Sequence, residues 1–387
     1  MLKMKPIPYG RQSITDEDIR AVVETLQSDF LTQGPKIAEF EDAFARYTGA
    51  GYAVAVSNGT AALHLSAMVL GVREGDRVIV PPLTFAASAN CVKYSNGEVV
   101  FCDVDPENYL LDLDRLESML SVKPQGYYKG VIPVDYAGYP VHGEKLREIA
   151  DRYGLWIIED ACHAPGAGFK DSSGRLQLTG NGKFADLTCF SFHPVKHIAT
   201  GEGGMVTTGS KELYEQLLVL RTHGITKDPA RLEENHGGWY YEMQELGYNY
   251  RLTDIQAALG ISQLRRAGKG LERRHEIAER YNRAFEDTAA IVTPKVADGF
   301  SHAYHLYVIQ VEDRLGLYNY LKENNIFAQV HYEPVHLQPY YRRLGSMPGD
   351  MPVAEHFYQR CLSLPMFPTL TGEEQEFVIE KIKEYVR

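Results

Sequence analysis

Three short segments carry residue types that can do chemistry together. The first holds Lys196, in Ser191-Phe192-His193-Pro194-Val195-Lys196-His197, a loop that follows an apolar strand. A lysine in that setting, with no charge partner beside it in sequence, is a candidate for a desolvated amine. Desolvation lowers a lysine's pKa and makes it nucleophilic toward carbonyls. Its ordinary alternative is a solvated surface lysine. The second segment is Ile157-Ile158-Glu159-Asp160-Ala161-Cys162-His163, which places Asp160 at the carboxyl end of a buried strand. Ligands of open α/β sheets bind at such strand ends, and a buried carboxylate there needs a cationic or N–H partner. Read alone, Asp160 is equally a helix N-cap or a turn residue. The third is the strand-to-helix junction Ser57-Asn58-Gly59-Thr60. A glycine turn into a helix N-terminus presents unpaired backbone N–H groups to a phosphate, and Thr60 adds a hydroxyl. Gly and Thr also stand at such turns for capping alone. A phosphate cup, a later acid and a reactive lysine are together what pyridoxal 5′-phosphate (PLP) requires. That cofactor needs a lysine for its aldehyde and a carboxylate for its ring nitrogen.

Other residues point less clearly. Phe85, after Pro81-Pro82-Leu83-Thr84 at a strand end, can stack on a cofactor ring; read alone, it is a core plug. His193 and His197 are four residues apart, and His331 and His336 flank a segment containing Pro334. No HExxH occurs, and a His-x4-His pair with Pro inside is poor metal spacing. The expectation is no metal, with these histidines hydrogen-bonded around a cleft. Gly182-Lys183 is followed by Phe184, so no P-loop is present.

These residues need a scaffold to bring them together. The chain has 387 residues, a length that suits about two or three domains. It carries 40 Lys and Arg against 51 Asp and Glu, a net charge of −11. That balance lacks the electrostatic footprint of nucleic-acid binding. No apolar run approaches the ~20 residues that span a bilayer, and no apolar stretch follows the basic start. Five scattered cysteines form no CxxC pair and read as reduced thiols. The expected location is cytoplasmic, with no membrane and no nucleic-acid partner.

The patterning alternates strands and helices from Tyr52 to Glu159. Strands are expected at 52–56, 77–80, 99–104, 130–135 and 155–159. Helices are expected at 61–70, 86–94, 113–120 and 143–153. This rhythm predicts a mostly parallel sheet covered on both faces, and runs such as Val78-Ile79-Val80 suit strands buried on both sides. Before it lie two helices, 15–29 with Thr15 as N-cap and 36–48. After it come strands 187–192 and 203–208 around a loop, a helix 210–222 and a loop 225–250. Helices 253–264 and 269–286 follow. Past about residue 290 the pattern is α+β: strand 305–311, helix 313–324, strand 327–331 and a last helix 372–386. The expected division is a large domain, 1–265, and a smaller C-terminal domain, 266–387.

Along its whole length the sequence resembles the sugar-nucleotide aminotransferases of the DegT/StrS type. The resemblance runs through Ile7–Gln12, Leu31-Thr32-Gln33-Gly34-Pro35, Ser57–Leu63, Thr84–Asn90, Glu159–Ala164 and Ser191–Lys196. It continues in Gly201-Glu202-Gly203-Gly204, Arg221-Thr222-His223-Gly224 and Gly247-Tyr248-Asn249-Tyr250-Arg251-Leu252. It implies PLP enzymes of fold type I, a large domain with a mostly parallel sheet plus a smaller α+β domain. By the same resemblance, Lys196 holds the cofactor and then shuttles protons, and Asp160 keeps the ring nitrogen protonated. Gly59, Thr60 and Ser191 bind the phosphate, Phe85 packs on the ring, and His163 sits near its phenolic oxygen. Asn249 reaches the cofactor phosphate of a partner subunit, which implies a homodimer with shared active sites.

Sugar 3-dehydratases of this family carry histidine in place of the lysine, so Lys196 favours aminotransfer. Val134–Gly138 and Ala328–Tyr332 resemble the enzymes of pseudaminic acid biosynthesis, and many relatives carry Gln where this chain has His163. The implied substrates are L-glutamate and a UDP-linked 4-keto-6-deoxy-N-acetyl-hexosamine, giving UDP-4-amino-4,6-dideoxy-N-acetyl-β-L-altrosamine. Alternatives are another UDP- or dTDP-linked keto-deoxy sugar of perosamine or bacillosamine type, a PLP-dependent dehydratase, or a non-catalytic PLP-binding regulator.

Overall fold

The computed structural model describes residues 5–387. Seven strands form its main sheet: β1 (Tyr52–Val56), β2 (Arg77–Val80), β3 (Glu98–Phe101), β4 (Gly130–Val131), β5 (Trp156–Asp160), β6 (Leu187–Ser191) and β7 (Gly204–Thr208). Their order is β1-β7-β6-β5-β4-β2-β3. β7 is antiparallel to β1 and β6, and every other pairing is parallel. Side chains alternate across the sheet, as the period of two demands. Val54 and Val56 enter a core with the Gly59–Val69 helix. Ala53 and Ala55 face the other way, onto Phe40, Phe44, Phe190 and Phe192. The Gly59–Val69 helix is buried nearly all round, which its small and apolar residues permit. The expected α/β architecture, a mostly parallel sheet covered on both faces, is the one present.

The C-terminal part has its own core, in which Ile277, Tyr281, Tyr307, Ile309, Leu362 and Ile382 meet. Strands Tyr307–Gln310 and Cys361–Leu364 pair antiparallel within it. Ile7 belongs to the same core, because strand Ile7–Pro8 pairs in parallel with Ile326–Phe327. The start of the chain is thus attached to its far end.

Most expected elements appear within a residue or two of their bounds. Thr15 caps helix Asp16–Leu26 in a capping box with Asp18, as the order Thr-Asp-Glu-Asp dictates. Three expected strands are shorter, the first being 99–104, which is strand only over Glu98–Phe101. The segment 130–135 keeps only Gly130–Val131 as strand, with one further bridge from Val134 to Asp160; Pro133 has no N–H to continue the ladder. The segment 327–331 keeps only Ile326–Phe327 and a Gln329–Ser363 bridge. A hairpin (Gly168–Lys170 with Leu176–Leu178), helices Pro339–Arg343 and Pro352–Arg360 and strand Cys361–Leu364 are additions to the expected elements. Segments this short show too few periods to be recognised. Among the described residues, no helix is long and apolar enough to cross a membrane, and all five cysteines are free thiols.

Candidate active site

A cavity of about 770 Å³ opens at the carboxyl ends of β5 and β6. Seven of the eight expected site residues line it: Gly59, Thr60, Phe85, Asp160, His163, Ser191 and Lys196. Asn249 does not. It is exposed and bridged to Thr222, one residue from the lining residue Tyr250.

The Gly59–Val69 helix points its N-terminus into this cavity. Asn58 caps it, its Oδ1 accepting the Ala61 N–H at 2.8 Å, and the first intrahelical bond runs from Ala62 N–H to the Asn58 carbonyl at 3.1 Å. The N–H groups of Gly59 and Thr60 therefore lie ahead of the helical ladder and are free to meet an anion. The wall is tight here. A Cβ on Gly59 would stand 3.0 Å from Ser191 Cβ, and one on Gly204 would stand 2.5 Å from the Asn58 carbonyl oxygen. Glycine at both positions lets helix, β6 and β7 close around one small space.

Asp160 ends β5, with its carboxylate buried and oriented. Ser88 Oγ donates to Oδ2 at 2.6 Å, and the Cys162 N–H reaches Oδ1 at 3.2 Å. Ser88 is itself 2.6 Å from Thr84 Oγ1. Glu159, the preceding residue on the strand, accepts from Thr188 Oγ1 at 2.9 Å. Burial pushes the Glu159 carboxyl up to about 7.

Lys196 is half-buried, and burial pulls its amine down to about 8, with Cys162 and Asp160 opposing that shift. Its Nζ lies 3.5 Å from His305 Nε2. About a tenth of the amine is thus neutral at pH 7, several hundred times more than for an ordinary lysine, and the neutral form is the nucleophile. A stability consequence follows. An unfolded lysine titrates near 10.5, so the folded state binds this proton less well than the unfolded chain does. Below about pH 8 the penalty is fully present, and it fades as pH rises from about 8 toward 10.5. In cofactor-free protein, K196M is therefore expected to raise the melting temperature at neutral pH, with the gain shrinking above pH 8. Melting curves across pH check this; a gain that grows with pH would contradict it.

His163 is buried, and burial together with Lys196 pushes its pKa well down, leaving a neutral imidazole. Its Nε2 is 3.2 Å from Tyr332 Oη, and its Nδ1 has no partner among the described residues. Phe85 is 61% exposed and lines the cavity, its ring 6.2 Å from that of Tyr332, so the core-plug reading fails. Several lining residues had no expected role: Tyr9, Tyr250, His305 and Tyr332. His331, expected only as a polar residue beside a cleft, also lines the cavity. Ser88, on which the Asp160 geometry depends, carried a weak signal as a hydroxyl within the Thr84–Asn90 motif.

This arrangement fits PLP. The free helix N-terminus and Ser191 form a cradle for a phosphate, and Asp160 is a fixed carboxylate for a cationic ring N–H. Phe85 offers an uncovered aromatic face, and His163 Nδ1 is a buried polar atom awaiting a partner.

Residues 12–383 match the DegT/DnrJ/EryC1/StrS aminotransferase family. The chain belongs to that family. It is 39% identical to the spore coat polysaccharide biosynthesis protein SpsC of Bacillus subtilis, across 98% of this chain and 97% of that protein. It is 34% identical to the UDP-4-amino-4-deoxy-L-arabinose–oxoglutarate aminotransferase of Shewanella sediminis, across 98% of each. It is 36% identical to the UDP-4-amino-4,6-dideoxy-N-acetyl-β-L-altrosamine transaminase of Campylobacter jejuni, across 98% of this chain and 99% of that enzyme. Among solved structures, the putative sugar aminotransferase Spr1654 of Streptococcus pneumoniae, in its PMP form, superposes with a TM-score of 0.89 at 31% identity, across 98% of both chains. As a member of the DegT/StrS family the chain is a sugar aminotransferase, and its cofactor is PLP.

Proposed function

We propose that this DegT/StrS enzyme moves an amino group from L-glutamate to C4 of a UDP-linked 4-keto-6-deoxy-N-acetyl-hexosamine. The observation that carries the reading is where the two segments similar to the pseudaminic acid enzymes fall. Val134 of one and His331 and Tyr332 of the other line the cavity, with His163 among them. The 36% identity to the altrosamine transaminase supports the same choice, against relatives whose names give other sugars.

When bound, PLP supplies an aldehyde for imine exchange and a ring that takes up the electron pair released at the amino donor's Cα. Lys196 Nζ takes that Cα proton and returns it, acting as base and then acid. Asp160 holds the ring nitrogen's proton through a carboxylate that Ser88 and the Cys162 N–H keep aimed. Gly59, Thr60 and Ser191 bind the phosphate, Phe85 covers a ring face, and His163 donates or accepts at the phenolic oxygen.

The active unit in this reading is a homodimer, in which Asn249 serves the partner's site. Exposed Ile19, Val23 and Leu26 on the Asp16–Leu26 helix, followed by exposed Phe30 and Leu31, support it, since such a patch marks an interface. The division near residue 265 into a cofactor domain and a smaller domain belongs to the same reading.

The test supplies holoenzyme with L-glutamate and the UDP-4-keto-sugar. Formation of the 4-amino sugar with one equivalent of 2-oxoglutarate, by a particle of dimer mass in light scattering, is expected. Amination only of a dTDP-linked or non-acetylated keto-sugar would overturn the substrate assignment. Release of free ammonia would favour a dehydratase, and full turnover by a monomer would overturn the shared site.

A further inference from the structure

Four histidines gather behind the reacting lysine: His163, His197, His305 and His331. Only His305 reaches its amine, with Nε2 3.5 Å from Nζ. Which atom carries the proton follows from the surroundings. His305 is buried, and its Nδ1 has no partner among the described residues. A proton on Nδ1 would leave a buried N–H unsatisfied, the costlier kind of orphan. The proton therefore sits on Nε2, the nitrogen facing Lys196. An N–H pointing at an amine is satisfied only by the amine's lone pair, and an ammonium has none.

We propose that His305 is a positioning residue for Lys196, donating its Nε2–H to the neutral amine and so favouring the nucleophilic form. The proposal rests on Lys196 being the reacting group.

The surroundings keep His305 in that role. Arg274 Nη1 donates to the carbonyls of Tyr304 at 2.9 Å, His305 at 3.3 Å and Met366 at 3.0 Å, which fixes the backbone that carries the ring. Its positive charge, with that of Lys196, opposes protonation of the imidazole, whose pKa burial already pushes well down. The His163 ring packs 4.3 Å away and that of His197 5.8 Å away. His197 cannot substitute, because its Nε2–H is committed to the Ala303 carbonyl at 2.8 Å. Asp160 and Cys162 face Lys196 from the other side and favour the ammonium. His305 thus acts alongside burial, against the pull of Asp160 and Cys162 toward the ammonium.

The test reads the amine rather than turnover. Cofactor-free protein is labelled with trace acetic anhydride across pH, and Lys196 acetylation is followed by peptide mass spectrometry. Wild type should show a midpoint near about 8. H305F keeps the site buried but removes the donor. Its midpoint should move upward, so labelling at neutral pH falls about fivefold, the ratio for a hydrogen bond of ordinary net strength. H305L supplies the same loss should the phenylalanine ring not fit. H305Q, whose amide can donate, should stay within about twofold of wild type. Equal or faster labelling in H305F or H305L overturns the proposal, as does equal slowing in the glutamine and apolar variants, which would indicate packing alone. Labelling does not depend on catalysis, so failure of the Lys196 assignment itself shows separately, as turnover in K196A.

Discussion

K196A loses turnover by about a thousandfold or more, with its fold intact. In the proposed mechanism the amine has two tasks, attachment of the cofactor and proton transfer at the donor carbon. Removing a positioned acid–base group alone costs about 10²–10⁴-fold. No neighbour can take over. His197, next in sequence, has its Nε2 bound to a carbonyl. His163 and His305 are neutral imidazoles pushed too low to act as bases at Cα. The measurement is 2-oxoglutarate release from L-glutamate in a single turnover, with circular dichroism to verify folding. Because the Lys196 amine titrates near about 8, the wild-type rate of cofactor attachment should fall as pH drops below that value. A K196A protein with full turnover would remove Lys196 from the chemistry.

D160N loses about 10²-fold or more in turnover, the scale on which a single aimed electrostatic group acts. The change is nearly isosteric. Oδ1 can still accept the Cys162 N–H, and the hydroxyl of Ser88 can turn to accept from the new amide. The loss is therefore one of charge, and it should come with weaker retention of PLP and an unchanged melting temperature in cofactor-free protein. Wild-type turnover in D160N would return Asp160 to its ordinary reading as a turn residue.

The parts of the site that sequence reveals are those made by one turn each. Gly59 and Thr60 stand where a strand becomes a helix, Asp160 ends an apolar strand, and Lys196 lies in the loop after another. Each carries a local signature of strand, turn and residue type. The rest is made by distant segments. His305 meets Lys196 across 109 residues and Tyr332 meets His163 across 169. Tyr332 and His331 follow a strand only two residues long, and Tyr9 follows another. Nothing in such short stretches sets a period, and their position depends on pairings between the two ends of the chain. Phe85 shows the opposite failure. Its type suggests a core, and only the cavity beside it explains why so large an apolar ring stays uncovered.

The attachment of the first strand to the last core has a mechanical meaning. Tyr9 is held by its carbonyl, which accepts the Met366 N–H at 2.9 Å, and His331 by its ring, whose Nδ1 is 2.8 Å from Ser363 Oγ. Both grips belong to the C-terminal core, whereas Asp160 ends a strand of the main sheet and Lys196 lies in the loop after the next. On the proposed reading, the main-sheet side of the cavity holds the reacting groups, and the side tied to the C-terminal core faces the sugar. A substitution that shifts the C-terminal core is therefore felt at Tyr9 and His331 together.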